Sequence, residues 1–327
     1  MKNKYRNGII PSLIFLCSFV PAPEASTQSS LVKANGITIA YESFGNPTSE
    51  TIILIMGTGA PLTNWPVELC QKIAGKGYRV IRFDNRDIGL SSRLDSLGQP
   101  NWGAIFPFIK TCQPAPVPYT LLDMAKDVIG LMDALKIEKA HIAGASMGGA
   151  IAQLVAIHFP ERTLTLTSMS ASSGNPDLPA GDPKAYQAMS TPPPATYDPY
   201  ILSDYLVGIY KALGGIDDES MLKKRAMEHI NRSWYPEGTN RQVAAVLIGD
   251  NCDRRADLAN IKVPTMVIHG DSDPLVPLTS GKEVAATVPG AELIIVKGLG
   301  HDISLKFTKI LAAGIVKNAR KSKLNAK

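Results

Sequence analysis

The stretch His141–Ala150, HIAGASMGGA, crowds alanine and glycine around a single serine. Gly144-Ala145-Ser146-Met147-Gly148 fits G-x-S-x-G, and its flanks give the pattern meaning. Ala140–Ala143 reads as a short strand, and Gly148–His158 as a helix closed by Pro160. A chain that turns sharply from strand to helix forces its central residue into strained backbone angles and draws neighbouring segments close. Only small residues at Gly144, Gly148 and Gly149 suit such a turn. The Ser146 hydroxyl is then presented at a helix N-terminus, where backbone N–H groups and the helix dipole favour negative charge. The plainer alternative is a glycine-rich packing turn with an incidental serine.

Outward from this turn, short β-branched runs alternate with helix-like stretches. Ile37–Tyr41, Thr51–Met56, Tyr78–Phe83, Leu164–Met169, Thr265–His269 and Glu292–Val296 read as strands. Trp65–Lys76 and Thr120–Leu135 read as helices; the second has apolar residues at helical spacing and most of its acids on the opposite face. Strands separated by helices predict a mostly parallel sheet covered on both faces, which binds its ligand at the carboxyl ends of the strands. The segment 172–258 breaks this rhythm. It opens with a Pro/Gly/Ser-rich loop containing TPPPATYDP and continues as helix-like stretches, Tyr200–Leu213 and Ser220–Arg232, without a convincing strand. It is expected to be a helical cap inserted into a core made of residues 26–171 and 259–327, with a long interdomain linker as the alternative. Tyr197, Tyr200, Tyr205, Leu206, Tyr210 and Trp234 would line a pocket there or form the cap's own small core.

A serine hydroxyl needs a base, and the base needs an orienting acid. His141 begins the strand leading to the turn, at its far end. His158 and His229 lie inside helical stretches, and His269 ends a strand, buried beside the following loop. His301 follows a strand and a flexible glycine loop, KGLG, at the productive edge, so it is the expected base. HGDSDPLVP offers Asp271 and Asp273 after strand Thr265–His269. Asp273 is favoured because Pro274 fixes the turn behind it, whereas Asp271 could cap that turn through its own backbone. An oxyanion would be met by the N–H of Met147 and by an N–H of Thr58 or Gly57 in the loop after Thr51–Met56.

The 327 residues suffice for one large α/β domain or for a core with an insertion. With 45% apolar and 19% charged residues, the chain falls in the range of ordinary globular proteins. The net charge of +5 is modest, no aromatic-interleaved basic patch is present, and nucleic-acid binding is unsupported. The basic stretch Lys317–Lys327 reads as a frayed, solvated end. Lys2, Lys4 and Arg6 precede the apolar run Ile9–Val20, and Ala22 and Ala25 follow. This order predicts a secretory leader over residues 1–25 and a secreted or periplasmic protein, with an uncleaved anchor or a disordered leader as alternatives. The apolar run is short for a membrane span, so no stable span is expected after leader removal. Leu16 before Cys17 argues against a lipid-modified cysteine. The remaining cysteines, Cys70, Cys112 and Cys252, are odd in number and widely spaced, so they imply neither a disulfide framework nor a metal site. An oxidising compartment would allow one disulfide, and spacing does not choose the pair.

The segments LIMGTGAPLTNWP, YRVIRFDNRDIGLSSR, GASMGG, PTMVIHGDSDPLVP and GLGHD together resemble the α/β-hydrolase family, and within it the aclacinomycin methylesterase-like subgroup. The likeness runs from about Val32 to the region of His301. It implies the α/β-hydrolase fold, with Ser146 as nucleophile, Asp273 as acid, His301 as base and Thr58 and Met147 as oxyanion donors. Asp84, Arg86, Gly89 and Ser91 match the family's D-x-R-x-x-G-x-S pattern, and Asp84 and Arg86 are expected to brace loops through buried pairing. Met56-Gly57 stands where most members have His-Gly, a departure that the methylesterase-like subgroup shares. The implied activity is hydrolysis of a small-molecule carboxylic ester through an acyl-enzyme, with no cofactor and no metal. Alternatives on the same triad are cofactor-free perhydrolysis (haloperoxidase activity) or C–C bond hydrolysis. A non-catalytic ligand-binding protein of this fold is the alternative from another class.

Overall fold

The computed structural model describes residues 29–323; the expected leader lies outside the described residues. Its strands are β1 (Ser30–Ala34), β2 (Ile37–Phe44), β3 (Thr51–Ile55), β4 (Arg79–Phe83), β5 (Ala140–Ala145), β6 (Thr163–Met169), β7 (Thr265–Gly270) and β8 (Glu292–Val296). Among the described residues they form one sheet in the order β1-β2-β4-β3-β5-β6-β7-β8. The β1–β2 and β2–β4 pairings are antiparallel, and all the others are parallel. Between the strands run α1 (Val67–Ala74), α2 (Trp102–Ile105), α3 (Leu121–Ala134) and α4 (Met147–His158). After β6 come α5 (Pro183–Ser190), α6 (Pro199–Ala212), α7 (Glu219–Ser233), α8 (Pro236–Gly249) and α9 (Arg255–Leu258), then α10 (Leu278–Thr287) and α11 (Thr308–Ala319). No helix among the described residues is long and apolar enough to cross a membrane.

The continuous apolar run of β3, TIILI, is buried throughout because the sheet is covered on both faces. Alternate side chains sort to opposite sides. Ile53, Ile55 and Ile142 pack with Met124, Val128, Leu131, Ile151 and Val155 of α3 and α4. Ile52, Leu54 and Ala143 pack with Leu69, Ile73, Leu311 and Ile315 of α1 and α11. Helix α3 starts where Thr120 accepts the Asp123 N–H and the Asp123 carboxylate answers to the Thr120 N–H, a reciprocal cap that fixes the first turn.

Between β6 and β7 the chain forms five helices and no strand. Leu206, Val207, Tyr210, Leu222 and Ala226, with Tyr205 and Trp234 packed against them, make a small core of their own. Tyr197 and Tyr200, by contrast, are 98% and 74% exposed. Periodicity missed α8 because Arg241 and Gln242 lie buried on it where an apolar stripe would otherwise fall. The expectation of a frayed end at Lys317 needs correction: α11 runs to Ala319, and Lys317 and Lys321 both pair with Glu292 on β8, at 2.6 and 2.8 Å. Cys112 and Cys252 form a disulfide, their Cα atoms 4.8 Å apart, which ties the segment after α2 to the segment after α8. Cys70 stays a buried thiol, its pKa pushed up to about 12 by burial.

Candidate active site

Parallel strands place the residues that follow β3, β5, β6, β7 and β8 along one edge of the sheet, and Ser146 stands in the middle of it. Its backbone has φ 57° and ψ −126°, a conformation that costs a non-glycine residue roughly 1–3 kcal/mol. The surrounding chain over-determines it. Ser146 N–H donates to Met169 of β6 at 2.9 Å, and the Ser146 carbonyl accepts from Gly149 and Ala150 at 2.8 and 3.1 Å. A Cβ on Gly144 would overlap the Gly148 carbonyl, and one on Gly148 would overlap the carbonyls of Ile55 and Met56. One on Gly149 would stand 2.6 Å from the Ala171 methyl. The glycines are therefore a steric requirement of β3, β5, β6 and α4 meeting at one turn.

Three side chains then join in a line. His301 Nε2 lies 2.8 Å from Ser146 Oγ, and His301 Nδ1 lies 2.9 and 3.1 Å from the two carboxylate oxygens of Asp273. An ionised carboxylate only accepts, so the proton sits on Nδ1 and Nε2 keeps a lone pair for the serine hydroxyl. Asp273 Oδ1 also accepts the N–H groups of Leu275 and Val276, at 3.0 and 2.9 Å. Burial by itself would raise the Asp273 pKa. The His301 ring outweighs it, helped by the Val276 N–H and by His269, and holds the carboxyl below the ordinary carboxylate range. The rival acid, Asp271, is exposed and accepts instead from Ser272 Oγ and the Gly298 N–H, at 3.0 and 2.7 Å.

His269 was expected to be buried, but no link to Asp273 was read from the sequence. Its Nε2 lies 2.8 Å from the Val276 carbonyl, which can only accept, so that nitrogen carries the proton. The same nitrogen is 3.6 Å from Asp273 Oδ2. Burial lowers the ring's pKa, and through its bond to the Val276 carbonyl His269 clamps the Asp273–Val276 turn. His141 is the second residue of β5 and His158 ends α4, which sets both away from the turn.

Thr58 sits in the loop after β3, and Met147 is the buried first residue of α4. A Cβ built on Gly57 would stand 3.2 Å from Ser146 Cβ, so this loop runs beside the serine. It is braced on several sides. Asn85 donates to the Met56 carbonyl at 3.0 Å, Gln242 of α8 accepts the Gly59 N–H at 2.8 Å, and Asp84 accepts the Leu62 N–H at 2.7 Å. Asp84 is paired with Arg232 of α7 at 2.7 Å, and Arg86 with Asp127 at 2.6 and 2.7 Å. Ser91 Oγ donates to the Asp84 carbonyl at 2.6 Å and accepts the Ala40 N–H at 2.9 Å. Asp84, Arg86 and Ser91 thus hold loops together. Gln242 and Arg232 escaped sequence reading because their partners lie 183 and 148 residues away, and no local pattern signals such a contact.

Residues 50–308 match the family described as alpha/beta hydrolase fold. In sequence the chain is similar to the rhodomycin D methylesterase DauP of Streptomyces sp. strain C5, at 27% identity over 89% of this chain and 97% of that protein. It is similar at 27% identity to a 2-hydroxy-6-oxononadienedioate/2-hydroxy-6-oxononatrienedioate hydrolase of Cupriavidus pinatubonensis, over 77% of this chain and 81% of that one. In structure it is similar to a meta-cleavage product hydrolase from Pseudomonas fluorescens IP01, with a TM-score of 0.69, 22% identity, and coverage of 90% of this chain and 98% of that one. With the parallel sheet, the serine at a strand-to-helix turn and a family match across most of its length, the chain belongs to the α/β-hydrolase fold family.

Proposed function

We propose that the protein is a serine hydrolase that cleaves a small-molecule carboxylic ester. The observation that carries this reading is the continuous hydrogen-bonded line from Ser146 Oγ through the His301 ring to Asp273. Ser146 Oγ attacks the ester carbonyl while its proton passes to His301 Nε2, and the tetrahedral oxyanion is met by the N–H groups of Thr58 and Met147. Each donor contributes on the order of 3 kcal/mol to lowering the barrier. The intermediate collapses to an acyl-enzyme, and His301 gives its proton to the departing alcohol. The same ring then takes a proton from the water that attacks the acyl carbonyl and returns it to Ser146 Oγ as the intermediate collapses, which releases the acid and the free serine. Segment 172–258 acts as a cap beside this edge; the reach of Arg232 to Asp84 and of Gln242 to Gly59 supports that role. The similarity to a rhodomycin D methylesterase supports an ester as substrate.

Ser146→Ala tests the reading with p-nitrophenyl esters from acetate to octanoate and with a fluorophosphonate label. The native protein is expected to turn over the esters and take the label, and the folded variant to do neither. Turnover retained by the purified variant refutes the assignment. A second reading, hydrolysis of a C–C bond on the same residues, is supported by the likeness to a meta-cleavage product hydrolase. Cleavage of a 2-hydroxy-6-oxo-dienoate without turnover of any ester would favour it. The Cys112–Cys252 disulfide supports export to an oxidising compartment. Finding the chain unprocessed in the cytoplasm of its host would refute that.

A further inference from the structure

From His301 onward, the loop that carries the ring is anchored on the helical segment 172–258. Leu213, which closes α6, accepts the N–H groups of both His301 and Asp302, at 2.8 and 3.1 Å. Just downstream, Ser304 Oγ accepts the Ile216 N–H at 3.1 Å, and the Asp217 carboxylate accepts the Leu305 N–H at 3.0 Å. Two glycines make this approach feasible. Gly214 has φ +80°, and a Cβ on it would stand 3.0 Å from Gly300 Cα. A Cβ on Gly300 would stand 2.7 Å from the carbonyl oxygens of Leu213 and Gly214. Across the same loop, Nη2 of Arg225 on α7 donates to both oxygens of Asp302, at 2.8 and 3.0 Å. The Arg225 guanidinium carbon lies 3.9 Å from the Tyr210 ring centre, inside the cap's own core. Asp302 is 6% exposed, so this ion pair is largely out of water.

The His301 side chain has two polar partners, Ser146 and Asp273, and neither fixes the backbone that carries the ring. That backbone follows Gly298-Leu299-Gly300, a sequence with wide conformational freedom. The β7 loop holds the first part of it, where Asp271 accepts the Gly298 N–H and the Leu299 carbonyl accepts the Ser272 N–H, whereas the N–H groups of His301 and Asp302 themselves are held by Leu213. A buried ion pair is weak evidence for stability, because desolvation offsets the attraction, so its placement next to His301 calls for a positional explanation. We propose that the α6–α7 turn and the Arg225–Asp302 pair are positioning elements for the reaction, which set where the His301 ring stands relative to Ser146. Segment 172–258 is then a fixed mould for the base, and it does not lift away as a whole during turnover. This inference rests on the serine-hydrolase reading given above.

The test uses Asp302→Asn, Arg225→Met and the double variant, which leaves no unpaired buried charge. Each is assayed with p-nitrophenyl acetate, by melting temperature and by the rate of fluorophosphonate labelling at Ser146. A displacement of about 1 Å at a reacting group can cost about 100-fold. The expected result is a kcat lowered by about 10- to 100-fold with KM little changed. Labelling slows in proportion, and the double variant melts close to the native protein. A double variant that folds and keeps native kcat overturns the proposal. Should the charge-removing variants fail to fold, Arg225→Lys decides: reduced kcat at native melting temperature supports the proposal, and native kcat overturns it. Absence of both ester turnover and labelling in the native protein would overturn the hydrolase reading itself, and this inference with it.

Discussion

Asp273→Asn is the substitution whose outcome follows most directly from the geometry. Asp273 Oδ1 receives two backbone N–H groups, from Leu275 and Val276, while Oδ2 faces His301 Nδ1 at 2.9 Å. An asparagine in this place has one acceptor oxygen and one donor NH2. Two backbone donors at one position demand the oxygen there, so the NH2 must occupy the position facing His301. It would donate to Nδ1, which forces the imidazole proton onto Nε2. That nitrogen then points a proton at Ser146 Oγ and has no lone pair to receive one. The ring stays in place but in the wrong tautomer, and kcat is expected to fall by about 10⁴-fold. At 1.36 kcal/mol per tenfold this is about 5 kcal/mol of barrier. KM for p-nitrophenyl acetate should change little, because the shape of the site is preserved. The folded-state pKa of Asp273 lies below its unfolded value, so its contribution to stability is present above the ordinary carboxylate range. That contribution is lost as pH falls through the lower folded value, so the melting difference between native and variant should shrink at acid pH. A kcat within about tenfold of native would refute the tautomer reasoning, since a tenfold change is only about 1.4 kcal/mol.

Gly148→Ala sets a methyl against the fixed carbonyls of Ile55 and Met56 and should destabilise the fold by about 3 kcal/mol or more, read as a lower urea midpoint; a native midpoint refutes the steric account. Gln242→Ala leaves the half-buried Gly59 N–H and the buried Arg86 carbonyl without partners, expected to cost about 1–3 kcal/mol by denaturation together with a lower kcat; an unchanged midpoint would show that the loop needs no brace from α8. Cys112→Ser opens a crosslink between positions 140 apart, for which loop entropy gives a ceiling of about 5 kcal/mol; the variant and the reduced native protein should unfold at similarly lowered temperatures, and equal stability of reduced and oxidised protein would contradict the pairing.

The sequence by itself was enough to mark the turn at Ser146, the parallel sheet around it and the position of His301 at the sheet's carboxyl edge, because each depends on rules that act over a few residues. Gly144, Gly148 and Gly149 mark a close crossing by their size, β-branched runs mark buried strands, and a histidine just past a strand end is carried to the carboxyl edge. Between Asp271 and Asp273 the sequence favoured Asp273 through Pro274, but which group each carboxylate meets is a tertiary matter: Asp273 faces the His301 ring and Asp271 the Gly298 N–H. Tertiary structure also decided the Cys112–Cys252 pair, the helical turn Arg320–Lys323, and the links of Arg225, Arg232, Arg241 and Gln242 to Asp302, Asp84, Asp87 and Gly59. Arg225 and Arg232 sit in a helix whose sequence reads as ordinary amphipathic surface, and Arg241 in one that periodicity missed. Their charge is buried only because a carboxylate far away along the chain is packed opposite, and an ion pair of that kind has no signature in either segment by itself.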